Sequence, residues 1–297
     1  MKSLTTCFYF IEYLLVRIVY CFLGFLPLRL LHAIACGVGT IGYYILPKKR
    51  KLALENLRLA FGTEKSTREL RRIARASLNN LIFIYLELIY FSKRRRYLDK
   101  YFYLDATSRK YVDHMLAEPK ATMYLTGHFG NWEFLALCAG FSGQKMHAIG
   151  RPIKNRFIFN YISRLRCVTE SSVIDKDYAV KGTLKVFQKK EIVGTLIDQR
   201  VGSSGIVVDF FGHPAYTTPF PALMKLKYDC VLHPAFAIRK SVGLFHVEIK
   251  DPIKVPLHLA GNEEKIKYMV QEYTKVVEDV VRAYPEQWLW YHRRWRL

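Results

Sequence analysis

The polarity pattern divides the 297-residue chain into an apolar N-terminal stretch and a longer region where apolar runs alternate with polar ones. Leu4 to Leu26 carries only Glu12 and Arg17 as charged residues, and Leu30 to Leu46 carries no Lys, Arg, Asp or Glu. Each approaches the ~20 apolar residues that cross a hydrocarbon core as a helix, with Pro27 and Arg29 between them. Ser66-Thr67-Arg68-Glu69 has the form of a capping box and predicts a helix through Leu70, Ile73, Ala74, Ser77 and Leu81 toward Phe91. Short β-rich runs follow at Thr122–Thr126, Met146–Gly150, Ile192–Ile197, Ile206–Phe210, Cys230–Ile238 and Phe245–Ile249, with helical patterns between them. After Gly261-Asn262, Ile266, Met269, Val270, Tyr273, Val276, Val277, Val280 and Val281 fall at i, i+3, i+4 spacing and predict a helix packed on the core. The order predicts an α/β fold, a mixed and largely parallel sheet covered by helices. No linker or low-complexity tract interrupts the chain after Pro47, so we expect an N-terminal membrane anchor over residues 1–47 and one domain over 48–297.

Composition narrows the setting. Lys and Arg number 46 against 25 Asp and Glu, a net charge of +21, with 51% hydrophobic and 14% aromatic residues. Such an excess suits anionic lipid, an acidic carrier protein or nucleic acid, and charge alone does not choose among them. Aromatic residues beside the basic ones favour a membrane interface. Lys48-Lys49-Arg50-Lys51 directly after the apolar region predicts that the chain from Lys48 onward faces the cytoplasm. A cleaved signal peptide and a buried helix pair of a soluble protein are the competing readings of the first 47 residues. Cys7, Cys21, Cys36, Cys138, Cys167 and Cys230 are scattered, with no C-x-x-C pair, so no disulfide framework or zinc site is expected. The histidines are dispersed too, and neither a metal nor a cofactor is expected.

Thr126-Gly127-His128-Phe129-Gly130-Asn131-Trp132-Glu133 carries the candidate chemistry. Gly127 and Gly130 permit a tight turn from strand to helix, Asn131 can cap the helix, and Glu133 falls in its first turn. At 3.6 residues per turn a five-residue separation points two helical side chains apart, so a His128–Glu133 pair requires this corner. A neutral imidazole oriented by a carboxylate removes a proton from an acceptor hydroxyl, while free helix N–H groups stabilise the developing oxyanion. The bland alternative is a satisfied loop histidine beside a capping glutamate.

Other positions are open in the same way. Arg151 ends the run Met146–Gly150, where open α/β sheets place ligands, and its guanidinium suits a phosphate or a thioester oxygen; a surface ion pair competes. Asp198 ends the run Ile192–Ile197 and reads either as an orienting group for Arg151 or an acceptor sugar, or as an ordinary turn aspartate. Phe210-Phe211-Gly212 with Thr217 and Thr218 suits the mouth of an acyl channel, although aromatic pairs are more often core. Trp288, Trp290 and Trp295 interleave with Arg293, Arg294 and Arg296, which suits either a phosphorylated lipid or a helix end docked by its tryptophans.

The octet, Arg151-Pro152 with Asn155, Asp198-Gln199, Phe210-Phe211-Gly212 followed by Thr217-Thr218, and the terminal Gln287 to Trp295 run together resemble the bacterial lipid A biosynthesis late acyltransferases, the lauroyl/myristoyl transferase family. The resemblance extends from about Pro47 to the C-terminus. It implies a glycerolipid-acyltransferase-like fold and an inner-membrane enzyme. Its donor would be an acyl carrier protein thioester and its acceptor a hydroxyl of a phosphorylated glycolipid, the lipid A precursor. His128 and Glu133 would be catalytic, and Arg151, Asn155, Asp198, Thr217, Thr218, Arg293 and Arg294 would bind substrate. The sequence departs from the family at Pro219-Phe220-Pro221, where glycine is usual, and at Lys176 and Lys181, where arginine is usual. Alternatives of the same class use acyl-CoA on another phosphoglycolipid, such as a phosphatidylinositol mannoside. Alternatives of other classes are a basic nucleic-acid-binding module, which lacks any recognised fingerprint here, and a non-catalytic membrane scaffold.

Overall fold

The structure, a computed structural model, describes residues 2–166 and 172–296; Cys167 lies outside the described residues. Four helices come first, α1 (Lys2–Leu23), α2 (Leu28–Ile45), α3 (Pro47–Phe61) and α4 (Thr67–Ser92). An alternating region follows: β1 (Phe102–Leu104), α5 (Ala106–Ala117), β2 (Thr122–Thr126), α6 (Trp132–Phe141), β3 (Met146–Gly150), α7 (Arg156–Arg166), β4 (Ser172–Asp175), α8 (Ala179–Gln188) and β5 (Ile192–Leu196). The chain ends with the hairpin β6 (Ile206–Phe210) and β7 (His213–Thr217), then α9 (Phe220–Tyr228), β8 (Val231–Ser241), β9 (Leu244–Ile249) and α10 (Asn262–Ala283).

Seven strands form one sheet in the order β1-β9-β8-β2-β5-β3-β4, parallel except for the β8–β9 pair. The expected α/β class with a largely parallel, helix-covered sheet is therefore the observed one. β2 is buried along its whole length, with Met123 and Leu125 in one apolar cluster and Tyr124 in the other. That alternation between two covered faces is what a central parallel strand requires. The predicted capping box also forms: the Ser66 hydroxyl accepts from the Glu69 amide, and the Glu69 carboxylate takes the Ser66 N–H at 2.8 Å. Along α10, Met269, Val270, Tyr273, Val277, Val280 and Val281 are buried as their spacing demands.

Three strands escaped the sequence pattern. β1 has three residues and β4 four, both at sheet edges, and β7 contains Pro214, which argues against a strand. Among the described residues β7 pairs only with β6, across a turn in which Phe211 and Gly212 have φ of 59° and 73°. The Glu278 carboxylate accepts the Phe211 N–H at 2.7 Å, and the Phe211 ring lies among Phe61, Phe210, Trp290 and Trp295. The segment read as an acyl-channel wall thus supplies core contacts.

α2 buries Leu28, Leu31, Ala35, Gly39 and Tyr43 and packs on α4, while Val38, Ile41, Tyr44 and Ile45 stay exposed. α1 rests on α7 through Tyr13 and Tyr20, which meet Phe157 and Tyr161, and exposes Phe8, Ile11, Leu15, Ile18 and Phe22. Both helices are long and apolar enough to cross a membrane.

The turn after β2 depends on Gly130, whose φ is +61° and where an added Cβ would lie 2.1 Å from the Ala237 carbonyl oxygen. Gly212 has a similar φ but open space around it. Gly212→Ala should therefore cost only the left-handed backbone term, roughly 1–2 kcal/mol. Gly130→Ala must also displace β8 and should lower the melting temperature several times further. Equal shifts in the two variants, measured in one detergent, would contradict this account of the turn.

Candidate active site

Strand register brings the site together. β2 and β5 are parallel neighbours with Thr126 opposite Leu196, so His128 and Asp198 each lie two residues beyond the last pair on the same edge. The connections leave in opposite directions, β2 leading to β3 on one side and β5 toward β8 on the other. Open α/β sheets bind ligands at such a switch point.

Asp198 is buried and accepts three N–H groups: His128 Nδ1 at 2.8 Å, the His128 backbone N at 2.7 Å and Trp288 Nε1 at 2.8 Å. Burial alone would raise its pKa, but the His128 imidazole, its hydrogen bonds and His292 outweigh that and hold the carboxyl well below its ordinary range. An ionised carboxylate only accepts, so Nδ1 of His128 carries a proton, and in the neutral ring Nε2 is then the atom with the free lone pair. Gln199, which is exposed, places its amide nitrogen 3.2 Å from that Nε2.

The C-terminal segment holds the loop of His128 in place. Phe129 and Trp288 form an antiparallel bridge, in which the Leu289 N–H donates to the His128 carbonyl and the Gly130 N–H to the Gln287 carbonyl, both at 3.0 Å. Asn131 caps α6 through the Phe134 N–H at 2.9 Å, as predicted, and donates at 2.7 Å to Glu87, which is buried and ion-paired with Arg239. Trp288 and Trp290 are fully buried, with Trp290 donating to the Pro285 carbonyl at 2.7 Å. Of the two readings of the tryptophan run, docking therefore describes Trp288 and Trp290: Trp288 directly follows the 3₁₀ turn Pro285–Gln287 that succeeds α10, and Trp290 lies in the turn after it.

The expected His128–Glu133 pair is corrected. Glu133 is in the first turn of α6, but its oxygens take Arg166 Nε and Nη2 at 2.7 and 2.6 Å, and the carboxylate at the imidazole is Asp198. The first helical turn carries Glu133 round toward α7, while the strand neighbour supplies Asp198 directly. Asp198 was expected at substrate or at Arg151, and instead it holds His128.

Four expected substrate-binding residues have structural partners. Asn155 is buried; it donates to the Tyr9 carbonyl at 2.8 Å and Glu12 at 2.9 Å, and accepts the Phe157 and Ile158 N–H groups, tying α1 to α7. Arg294 is 1% exposed and donates to the Tyr216 carbonyl at 2.6 Å and the Thr217 hydroxyl at 2.5 Å, so Thr217 is committed as well. Burial pushes the Arg294 pKa down to about 10, against the pull of Asp198. Thr218 is half-buried, its carbonyl taken by the Tyr273 hydroxyl and its own hydroxyl by the Phe220 N–H. Arg151 follows β3 on the same sheet edge as His128, and both Arg151 and Arg293 are exposed, with no hydrogen bond or ion pair to a described residue.

An imidazole is thus held through Nδ1 by a buried carboxylate at a sheet edge, with Nε2 beside the exposed Gln199. The sequence profile described as "Bacterial lipid A biosynthesis acyltransferase" matches residues 1–297. The chain belongs to that family. It is also 25% identical over 278 residues, 91% of this chain and 87% of the other, to a lipid A biosynthesis lauroyltransferase from Escherichia coli (strain K12). The enzyme is accordingly an acyltransferase of lipid A biosynthesis. Sequence reasoning singled out His128 and missed Trp288 as a donor to Asp198, which only the terminal bridge to Phe129 brings there.

His292 carries a further consequence. Both ring nitrogens are closed off from solvent without a hydrogen-bond partner among the described residues, and the ring stands edge-on to Trp288 at 5.1 Å. Burial first, with His128 and Arg294 adding and Asp198 opposing, pushes its pKa from 6.5 down to about 4. The unfolded chain then binds a proton that the folded ring refuses. This stability is fully present above pH 6.5 and falls toward pH 4, by on the order of 3 kcal/mol. His292→Phe, which keeps the ring contact, should lose less melting temperature between pH about 7.5 and about 5 than the parent; parallel losses would contradict the assignment.

Proposed function

We propose that this family member transfers a fatty acyl group from an acyl carrier protein thioester to a hydroxyl of a phosphorylated lipid A precursor at the inner membrane, by direct attack. The observation that carries the reading is the Nδ1 contact of His128 with Asp198 at 2.8 Å, which leaves Nε2 as the proton acceptor. An acceptor hydroxyl displaces the Gln199 amide from Nε2 and gives up its proton as its oxygen attacks the thioester carbonyl. The C–O bond forms, the C–S bond breaks, and the imidazolium returns the proton to the departing thiolate. The N–H groups of Trp132 and Glu133, in the first turn of α6, are the donors proposed for the oxyanion. Arg151 and Arg293 are proposed to receive phosphate.

Glu133 acts at one remove in this scheme: it fixes Arg166, and through α7 it links the active-site helix to α1. We read α1 and α2 as helices that seat the enzyme in the bilayer, residues 1–47 against the domain of 48–297, with the Lys48 to Lys51 cluster on the cytoplasmic side.

His128→Ala should lose about 10²–10⁴-fold in turnover. Asp198→Asn should fall comparably for a distinct reason. Its amide oxygen must face the two donors on Oδ2, which turns the NH₂ toward Nδ1 and forces the proton onto Nε2. Glu133→Gln keeps one acceptor for Arg166 and should lose less than either. Products are read by mass after incubation with a Kdo-bearing tetra-acylated lipid A precursor and a panel of acyl-carrier-protein thioesters. Near-normal turnover in His128→Ala, or a wild-type acyl adduct that forms and decays with turnover, would overturn the mechanism. Turnover with acyl-CoA alone would overturn the donor.

A further inference from the structure

The first turns of α4 carry a second pattern, opposite the apolar one. Leu70, Ile73, Ala74, Ser77 and Leu78 are buried, while Arg68, Arg71, Arg72 and Arg75 recur at i, i+3, i+4 and i+7 on the exposed side. Arg50 from α3 faces the same open cleft of about 640 Å³, next to Tyr43 and Tyr44 at the end of α2. No carboxylate among the described residues lies within 4.0 Å of any of these five guanidiniums. Glu69, on the same helix, is engaged in the Ser66 cap, and Glu55, in α3, pairs with Lys51 at 3.9 Å. Like charges at i, i+4 destabilise a helix by about 0.2–0.5 kcal/mol per pair, so the cluster opposes folding, and the carboxylate of Glu69 acts on Arg72 only from beyond ion-pair distance.

We propose that this cleft binds the phosphate of an anionic phospholipid of the bilayer, at a site formed by none of the residues around His128 and Asp198. A guanidinium fork matches phosphate oxygens in pairs, which favours a phosphate over a simple counter-ion. Position identifies the source of that phosphate. The cleft adjoins the exposed apolar face of α2, where Ile41, Tyr44 and Ile45 are 61%, 60% and 68% exposed, and tyrosines beside such a face lie at headgroup depth. The Arg50 guanidinium already stacks over Tyr43, 5.5 Å from the ring centroid, which orients it into the cleft rather than along the surface. The inference rests on the reading that α2 meets the membrane.

The test is native mass spectrometry of the full-length, detergent-purified enzyme titrated with phosphatidylglycerol or phosphatidylcholine, beside the variant R71Q/R72Q/R75Q. Wild type should bind one phosphatidylglycerol at least about ten-fold more tightly than phosphatidylcholine, and the variant should lose that preference. Without lipid, the variant should melt at the same or a higher temperature, because repulsion has been removed and no internal ion pair lost. A preference that survives in the variant overturns the proposal, as does displacement of the lipid by millimolar inorganic phosphate. Release by the variant of an acidic carrier protein held without lipid would assign the cleft to a protein instead. Binding of both lipids without preference removes this site alone, whereas failure to bind either also removes the membrane reading of α2.

Discussion

A single buried carboxylate organises the centre of the enzyme. Asp198 takes N–H groups from His128, 70 positions earlier in the chain, and from Trp288, 90 positions later, so three distant segments share one charge. In a buried site each N–H is worth more to an ionised acceptor than to a neutral one, and a lost partner would leave the charge uncompensated. The β2–β5 register delivers two of those segments, and the Phe129–Trp288 bridge delivers the third. The geometry around His128 and the closure of the fold therefore depend on the same contacts.

The remaining polar architecture supports that centre from behind. Asn131 and Arg239 meet at Glu87, whose pKa is raised chiefly by burial, and Gln287 exchanges hydrogen bonds with the Arg239 backbone at 2.9 Å in both directions. Asn56 donates to the carbonyls of Trp290 and His292 at 2.7 Å, and the Tyr291 hydroxyl reaches the Ala74 carbonyl at the same distance. α3 and α4 thus brace the terminal segment. α4 in turn carries α2, so the surface proposed to meet the bilayer and the segment that holds Asp198 share a helix.

The sequence made some of this legible and hid the rest for identifiable reasons. Periodicity and capping chemistry located α4, α6, α10 and the inner strands, because those signals are local. The strand order is not local: β5 inserts between β2 and β3, and only that insertion decides that Asp198, rather than Glu133, meets His128. Residue type alone did not foretell the structural partners of Asn155, Thr217 and Arg294, which are helix-cap N–H groups and Glu12 for the first and each other for the last two. The tryptophans were informative as docking residues more than by their affinity for membranes: Trp288 and Trp290 are buried where the chain leaves the 3₁₀ turn Pro285–Gln287.

The state of the His128 ring tests this account most directly. With ¹⁵N-labelled histidine in the folded, detergent-held enzyme near neutral pH, His128→Gln identifies the signal by its loss. The account predicts a neutral ring with its proton on Nδ1 and a pyridine-like Nε2, reverting to the opposite tautomer in Asp198→Asn. A wild-type ring protonated on Nε2 and bare at Nδ1, or a ring indifferent to that substitution, would contradict it.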